Sequence, residues 1–454
     1  MSTHQNELED TRYRVEALLA EGDVTSARDL ALTLHASDLA DLVEALGEDV
    51  RVRLLSALPA EQASEALAEM EEGEDRGDLL AAFTPAKGAE LLSELADDDA
   101  ADLFAELEPS EQKLILDALS AGEAGDLIRL LKYGEDTAGG LMTTELVAVD
   151  ASLTAGQAID AVRVRGREVE RFYTVFVVDA QNRLQGTVRL DDLIMADPDC
   201  TVAEIVQAPL AIVSPDLDQE EVGHLIARYN LVALPVVGDD GVLLGRITFD
   251  DVIDVLEAEQ TEDILLMAGA GSDEEALRYT WKQSVRARMP WLFVNLGTAA
   301  LASFVVYFYS ETIESVVILA AIMPIVAGIG GNAGTQALAV TARSLALDQG
   351  PRDRTALARH VGRELTVGVI NGAILGSVVA GLATLVGGDP MLGLVVLLAM
   401  WGNLAVAGFL GSFVPSIMDR LGLDPAVSSS MFVTPFTDLC GFLFLLGLGS
   451  AFLL

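Results

Sequence analysis

Cysteine is almost absent. Cys200 and Cys440 are the two in 454 residues, they lie in stretches of different character, and no disulfide framework is expected from them. Histidine is nearly as scarce: His4, His35, His224 and His360 are scattered and show no zinc-ligand spacing with the cysteines. No Ser-His-Asp or Cys-His pattern stands out, and no P-loop is present to hydrolyse ATP, so enzyme activity is not expected. Basic residues are few, 28 Lys and Arg against 70 Asp and Glu, giving a formal net charge of −42. Such a surface repels nucleic acid and attracts cations. The polar N-terminus carries no secretory signal, so the region that follows is expected to be cytoplasmic and reduced.

The charge is unevenly spread. Residues 281–454 hold nine acids and nine bases, and removing nine from each total leaves 61 acids and 19 bases in residues 1–280. The neutral part contains what the acidic part lacks, long runs nearly free of charge at 289–310, 316–342, 365–388, 390–418 and 425–454. Each reaches the roughly 20 residues needed to cross a bilayer, which predicts five spanning helices. Lys282, Arg286 and Arg288 precede the first, five arginines lie between Arg343 and Arg363, and Arg420 separates the fourth from the fifth. The other two loops have no Lys or Arg, so the N-terminus is expected on the cytoplasmic side of the inner (plasma) membrane and the C-terminus outside. Asp438 is the only charged side chain between Pro425 and Leu454. A carboxylate at the centre of a spanning helix costs at least ~2.5 kcal/mol, and such groups usually face an aqueous or ion path.

Upstream lie two soluble architectures. Short amphipathic stretches recur at 37–46, 48–58, 59–70, 85–95, 98–107, 109–119 and 122–131, with Pro59, Pro85 and Pro109 near helix starts. Stacked helix pairs at this period predict an α-solenoid over residues 1–136. Residues 137–255 contain a second repeat: YTVFVVDAQNRLQGTVRLDDLI at 173–194 and LVALPVVGDDGVLLGRITFDDVI at 231–253. Aligning Gly186 with Gly245 also aligns Asp191-Asp192 with Asp250-Asp251, at a spacing of 59. Each copy reads as strand, turn, strand and a helix opened by an Asp pair. This resembles a tandem pair of CBS domains, with Met142-Thr143 and Val213-Ser214 near the repeat starts. The resemblance implies ATP as a regulatory ligand at Thr248 and Asp251; the first repeat has Arg189 before Asp192, so one site only is implied. The alternative is that Asp251 caps a helix N-terminus.

In the second predicted span, Pro324, Gly328, Gly330, Gly331, Asn332, Gly334 and Gln336 form a PxxxGxGGNxGxQ pattern. Small residues let helix backbones approach closely, and Asn332 and Gln336, four apart, share a face that can offer amide oxygens to a hydrated ion. The plainer alternative is a tight helix crossing with mutually bonded amides. Beside Glu364, Asn371-Gly372, Asp424-Pro425 and Thr434-Pro435-Phe436-Thr437-Asp438, the pattern resembles the MgtE family of magnesium channels, over nearly the whole chain. Glu364 has a second reading, as an acid at the start of the third helix stabilised by the positive end of the helix dipole.

The resemblance implies a homodimer whose two-fold axis carries a Mg²⁺-selective pore lined by Asp438, Asn332 and Gln336 of a five-helix domain at 289–454. It further implies that residues 256–288 form a connecting helix acting as a plug. Cytosolic Mg²⁺ would close the pore through Asp99, Glu220, Asp251, Asp254, Glu259, Glu262, Asp263 and Asp424. One departure is noted: Tyr229-Asn230-Leu231 stands where the family commonly has Tyr-Asp-Leu, which removes a charge from that sensing position. Two alternatives remain, a divalent-metal carrier coupled to another cation and a non-transporting Mg²⁺ or nucleotide sensor. A single deep ionisable residue favours the channel over the carrier.

Overall fold

A computed structural model describes residues 3–70, 74–167, 169, 171–268, 280–346, 354–421 and 425–454. The chain divides into two compact units, Met1–Leu256 and Glu257–Leu454.

The first unit opens with helices α1 (Thr3–Glu21), α2 (Val24–Ala31), α3 (Ala36–Glu44), α4 (Glu48–Ala57), α5 (Ala60–Ala68), α6 (Glu74–Ala81), α7 (Pro85–Leu92), α8 (Asp97–Ala105), α9 (Pro109–Leu116) and α10 (Ala121–Leu130). Local chemistry sets their starts. Pro85 and Pro109 occupy the first turn, where a missing N–H is harmless. Ser120 N–H donates to Glu123 Oε2 at 3.0 Å while Glu123 N–H donates to Ser120 Oγ at 3.4 Å, a reciprocal cap on α10. The seven expected stretches correspond to α3–α5 and α7–α10. Sequence periodicity missed α1, α2 and α6. In α6 a charged run with Gly77 hides the pattern, and tertiary contacts supply the order instead: Arg76, buried, donates through Nη2 to Glu106 Oε1 at 2.6 Å and through Nη1 to Ala68 O at 3.3 Å. The apolar faces merge into one core, including Leu42, Leu54, Leu67, Leu91 and Phe104, that continues into Met142, Leu234 and Ile247 of the α/β part.

That α/β part holds two sheets. In the first, β1 (Ala148–Asp150) runs parallel to β2 (Thr174–Val178), which pairs antiparallel with β3 (Leu184–Arg189). In the second, β4 (Ala233–Val237) pairs antiparallel with β5 (Leu243–Thr248). The repeat is exact in register: Val177 faces Gly186 and Val236 faces Gly245, with the same irregularity one residue later in each hairpin. The remaining helices are α11 (Ala155–Arg165), α12 (Leu190–Met195), α13 (Val202–Ile205), α14 (Gln219–Tyr229) and α15 (Phe249–Ala268), the last leading out of the unit.

The second unit contains α16 (Trp281–Phe308), α17 (Ser310–Ser315), α18 (Ile318–Ala346), α19 (Arg354–Gly387), α20 (Pro390–Arg420) and α21 (Pro425–Leu453). Five of the described helices are long and apolar enough to cross a membrane, in the order expected. Several boundaries differ from expectation, among them the start of α19, at Arg354 instead of 365. Helix α16 starts at Trp281 because Thr280 and Gln283 cap it, Thr280 N–H donating to Gln283 Oε1 at 2.9 Å. The first acidic loop is also partly helical, since the N–H groups of Thr312 and Ile313 both donate to Tyr309 O at 3.1 Å and close α17. Of the expected plug segment, residues 269–279 lie outside the described residues.

Small residues bring α19 and α20 together. A Cβ at Gly368 would stand 2.3 Å from Leu404 O, and one at Gly408 would stand 2.4 Å from Glu364 O. Leu319, Val326, Val396, Met400, Leu445 and Leu446 form the apolar junction of α18, α20 and α21.

Candidate ion-pathway and sensing sites

Helices α18 and α21 carry the candidate pathway. Asn332 and Gln336 are exposed on α18, on the side that also exposes Pro324 and Gly328. A Cβ at Gly331 would stand 3.4 Å from Thr434 Cγ2 and one at Gly334 would stand 2.5 Å from Val433 Cγ1, so the motif's glycines put α18 directly against α21. Thr437 is fully buried in this seam and its hydroxyl donates to Thr434 O at 2.7 Å. Asp438 follows it, half-buried, and among the described residues its carboxylate has no hydrogen-bonding or ion-pairing partner. Asn332 and Asp438 thus each adjoin the helix contact, with polar groups free to face an ion. Asp424 lies outside the described residues.

Glu364 does not sit where the dipole reading needs it. Helix α19 begins at Arg354, so Glu364 is in its third turn, beyond the reach of the N-terminal dipole. It is 7 % exposed, against α20, with Arg363 Nε at 3.9 Å. Sequence reading also missed Asn403, an uncharged amide in an apolar run of α20. It is wholly buried, and its Nδ2 donates to Val326 O of α18 at 3.0 Å. A search guided by charge passes over it; the interruption of the apolar run was the available signal.

In the first unit the acidic residues converge on α8. Asp97 Oδ1 accepts from the Thr143 hydroxyl at 2.5 Å and from Thr144 N–H at 3.0 Å, docking the helix start onto the segment that enters the α/β part. Asp98 is buried, its Oδ1 has no hydrogen-bond partner, and burial together with the charges of Asp99, Asp251 and Asp97 holds its carboxyl well above the usual range. Asp251 is raised too, first by burial, against the lowering effect of the hydrogen bond it accepts from the Thr248 hydroxyl. Asp98 is thus the buried acid of α8 within electrostatic reach of Asp251, whereas Asp99 beside it is exposed. Arg246, 4 % exposed, lies within electrostatic reach of Asp98 and Asp251, and burial lowers its guanidinium despite their attraction.

Arg246 also lines an open cleft with Arg171, Tyr173, Val232, Ala233, Thr248, Phe249 and Asp250. Thr248 is thus at the cleft, while Asp251 stands behind it holding the Thr248 hydroxyl. Neither Arg171 nor Arg246 was singled out from sequence. In the first repeat Arg189, which stands at the position of Thr248, is exposed and turned back on Asp191, its Nη2 donating at 2.6 Å.

The other expected sensing acids are distributed. Glu220 is in the first turn of α14, and its N–H donates to Asp218 Oδ1 at 3.0 Å. Asp254, Glu259, Glu262 and Asp263 lie along α15. Among the described residues of this single chain, no three carboxylate, histidine or cysteine side chains converge as a metal site. Asn230 has a local reason to be there: it ends α14 in the left-handed region (φ 50°, ψ 48°), and its N–H donates to Ile226 O. Asn adopts that conformation more readily than most residues.

An acidic helical and CBS-type part joined to five apolar helices, with a carboxylate at Asp438 unpartnered among the described residues, is the organisation of a divalent cation transporter, and comparison with known proteins agrees. Residues 323–448 match the MgtE divalent cation transporter model, 34–136 the MgtE intracellular N domain, and 138–199 and 202–258 the CBS domain. The magnesium transporter MgtE of Enterococcus faecalis is 34 % identical, covering 98 % of both chains, and that of Thermus thermophilus is 34 % identical over 94 % of this chain and 95 % of its own. The chain belongs to the MgtE family, whose members are transporters and not enzymes. Its N-terminal half is similar to a crystal structure of the soluble part of a magnesium transporter, at 34 % identity and a TM-score of 0.51, covering 56 % of this chain and 99 % of that one. It is also similar to the cytosolic domain of the Mg²⁺ channel MgtE in complex with ATP, at 36 % identity and a TM-score of 0.52, covering 54 % and 99 %.

Proposed function

We propose that the chain is a homodimeric, Mg²⁺-selective channel for magnesium uptake, closed when cytosolic Mg²⁺ binds its acidic soluble part. The observation that carries this is Asp438, a carboxylate in a membrane-spanning helix with no partner among the described residues, beside the seam that holds Asn332. Mg²⁺ gives up its water reluctantly and is usually bound through one or two carboxylates with several waters kept. One Asp438 from each subunit, with the amides of Asn332 and Gln336, suits a hydrated ion held through its shell. Discrimination against Ca²⁺ then depends on the size and rigidity of that hydrated complex. A negative membrane potential drives entry, at ~2.3 kcal/mol per elementary charge for each 100 mV and about twice that for a divalent ion. With the arginine-rich loops inside, the N-terminus is cytoplasmic and the C-terminus outside.

Closure follows from repulsion. Asp98 is buried within electrostatic reach of the half-buried Asp251, with an acceptor, Asp98 Oδ1, left unpaired. Mg²⁺ at such acidic surfaces, including Glu220, Asp254, Glu259, Glu262, Asp263 and Asp424, favours the compact arrangement, and the ion therefore binds the closed state better than the open one. ATP is placed in the cleft of Thr248, Arg171 and Arg246, two guanidinium groups suiting its phosphates. Calorimetric titration with ATP tests this: saturable binding that Thr248→Val and Arg171→Ala weaken is expected, and equal heats in wild type and both variants would refute it.

Buried Glu364 lends specific support to a second reading, a carrier coupled to Na⁺ or H⁺, since it gives the membrane unit a second buried carboxyl. The pathway assignment is tested by Asp438→Ala in proteoliposomes. Mg²⁺ influx should fall to background, and undiminished influx would remove Asp438 from the pathway.

A further inference from the structure

Asn403 is the one amide side chain that the membrane unit buries completely among its described residues. Its Nδ2 donates to Val326 O at 3.0 Å, and its Oδ1 has no hydrogen-bond partner. A Cβ at Gly330 would stand 2.1 Å from Nδ2, and one at Gly441 would stand 2.8 Å from it. The amide is therefore wedged between the backbones of α18 and α21, two residues along from Asn332 and three from Asp438. By contrast, the hydroxyls of Thr335, Ser412 and Ser416 donate to carbonyls of their own helices.

Packing alone does not account for this residue. A leucine has similar volume and leaves no acceptor unpaired, and a buried unsatisfied polar group is costly. Polar groups kept in a membrane interior despite that cost mark function. The carbonyl that Asn403 engages is also significant, because Val326 O is the acceptor that Gly330 N–H takes in a regular helix. Sharing it ties the turn just before Asn332 to α20, while Gly441 lets the same amide press on α21.

We propose that Asn403 is a positioning residue for ion selectivity. It fixes the spacing and rotation of α18 against α21, and so the separation between the amides of Asn332 and Gln336 and the carboxylate of Asp438. A site that recognises a hydrated ion by size depends on that separation being held by supporting contacts. The inference rests on Asp438 being the pathway carboxylate.

The test uses full-length protein in proteoliposomes, with Mg²⁺ and Ca²⁺ influx read by indicator dyes and folding checked by gel filtration and thermal melting. In folded Asn403→Leu, which loses the donor to Val326 O, and Asn403→Asp, which replaces the amide by a carboxyl without the N–H pair, the ratio of Ca²⁺ to Mg²⁺ influx should rise severalfold and the half-saturating Mg²⁺ concentration should shift. Gly441→Ala, whose methyl presses on the same amide, should move the ratio in the same direction. Gly381→Ala, where a Cβ meets open space, should leave it unchanged. If Asn403→Leu does not fold, Asn403→Asp and Gly441→Ala decide the matter. Wild-type ratio and half-saturation in the folded Asn403 variants would overturn the proposal. Should Asp438→Ala abolish Mg²⁺ influx while those variants remain wild type, this inference alone fails; should Asp438→Ala keep its influx, the pathway reading itself fails.

Discussion

Asp98 is pushed toward the protonated form by burial and by the charges of Asp99, Asp251 and Asp97, and Asp251 by burial first, and this fixes the sign of their effect on stability. A carboxyl raised in the folded state contributes stability at low pH that is lost as pH rises through its folded value. As pH rises and these carboxyls ionise, burial and the neighbouring acids oppose their charge, and a divalent cation can offset that cost. Asp98→Asn should therefore raise the melting temperature of the Mg²⁺-free protein at pH 7, by about 2–4 °C for each kcal/mol regained. It should also reduce the further rise on adding Mg²⁺. Thermal unfolding with EDTA and with Mg²⁺ checks both, and a lower Mg²⁺-free melting temperature would contradict this account. The sequence made the acidic run visible but not which acid matters. Asp97, Asp98 and Asp99 are successive residues about 100° apart around a helix, and only tertiary packing decides which is buried.

At the scale of elements, helices with strong apolar periodicity or proline starts were legible, as was the strand-turn-strand repeat at a spacing of 59. Spanning helices were legible because length and lack of charge suffice to mark them. Elements held by distant partners were not. Helix α6 rests on the buried Arg76–Glu106 pair, in which the two side chains are 5 % and 16 % exposed. Removing one partner of such a pair leaves a buried charge and typically costs about 3–5 kcal/mol. Arg76→Ala should destabilise the soluble part by that amount in urea, whereas Arg163→Ala, which breaks an exposed pair of the kind worth about 0–1 kcal/mol, should change little. Equal effects would show that α6 is not held this way. The same blindness hid Asn403, whose importance lies in which backbone carbonyl it reaches.

The whole molecule combines an acidic region, residues 1–280, with a neutral, membrane-spanning one, residues 281–454, and the charge division was plain from sequence. Composition could not supply the proposed regulation, which turns on ion binding in states of different compactness. Single-channel recording in a reconstituted bilayer, with cytoplasmic Mg²⁺ varied independently of the permeant ion, tests the central claim most directly. The account predicts unitary Mg²⁺ currents that shut as cytoplasmic Mg²⁺ rises. Slow Mg²⁺ uptake without unitary events and dependent on a Na⁺ or H⁺ gradient would contradict it and favour the carrier reading that buried Glu364 supports.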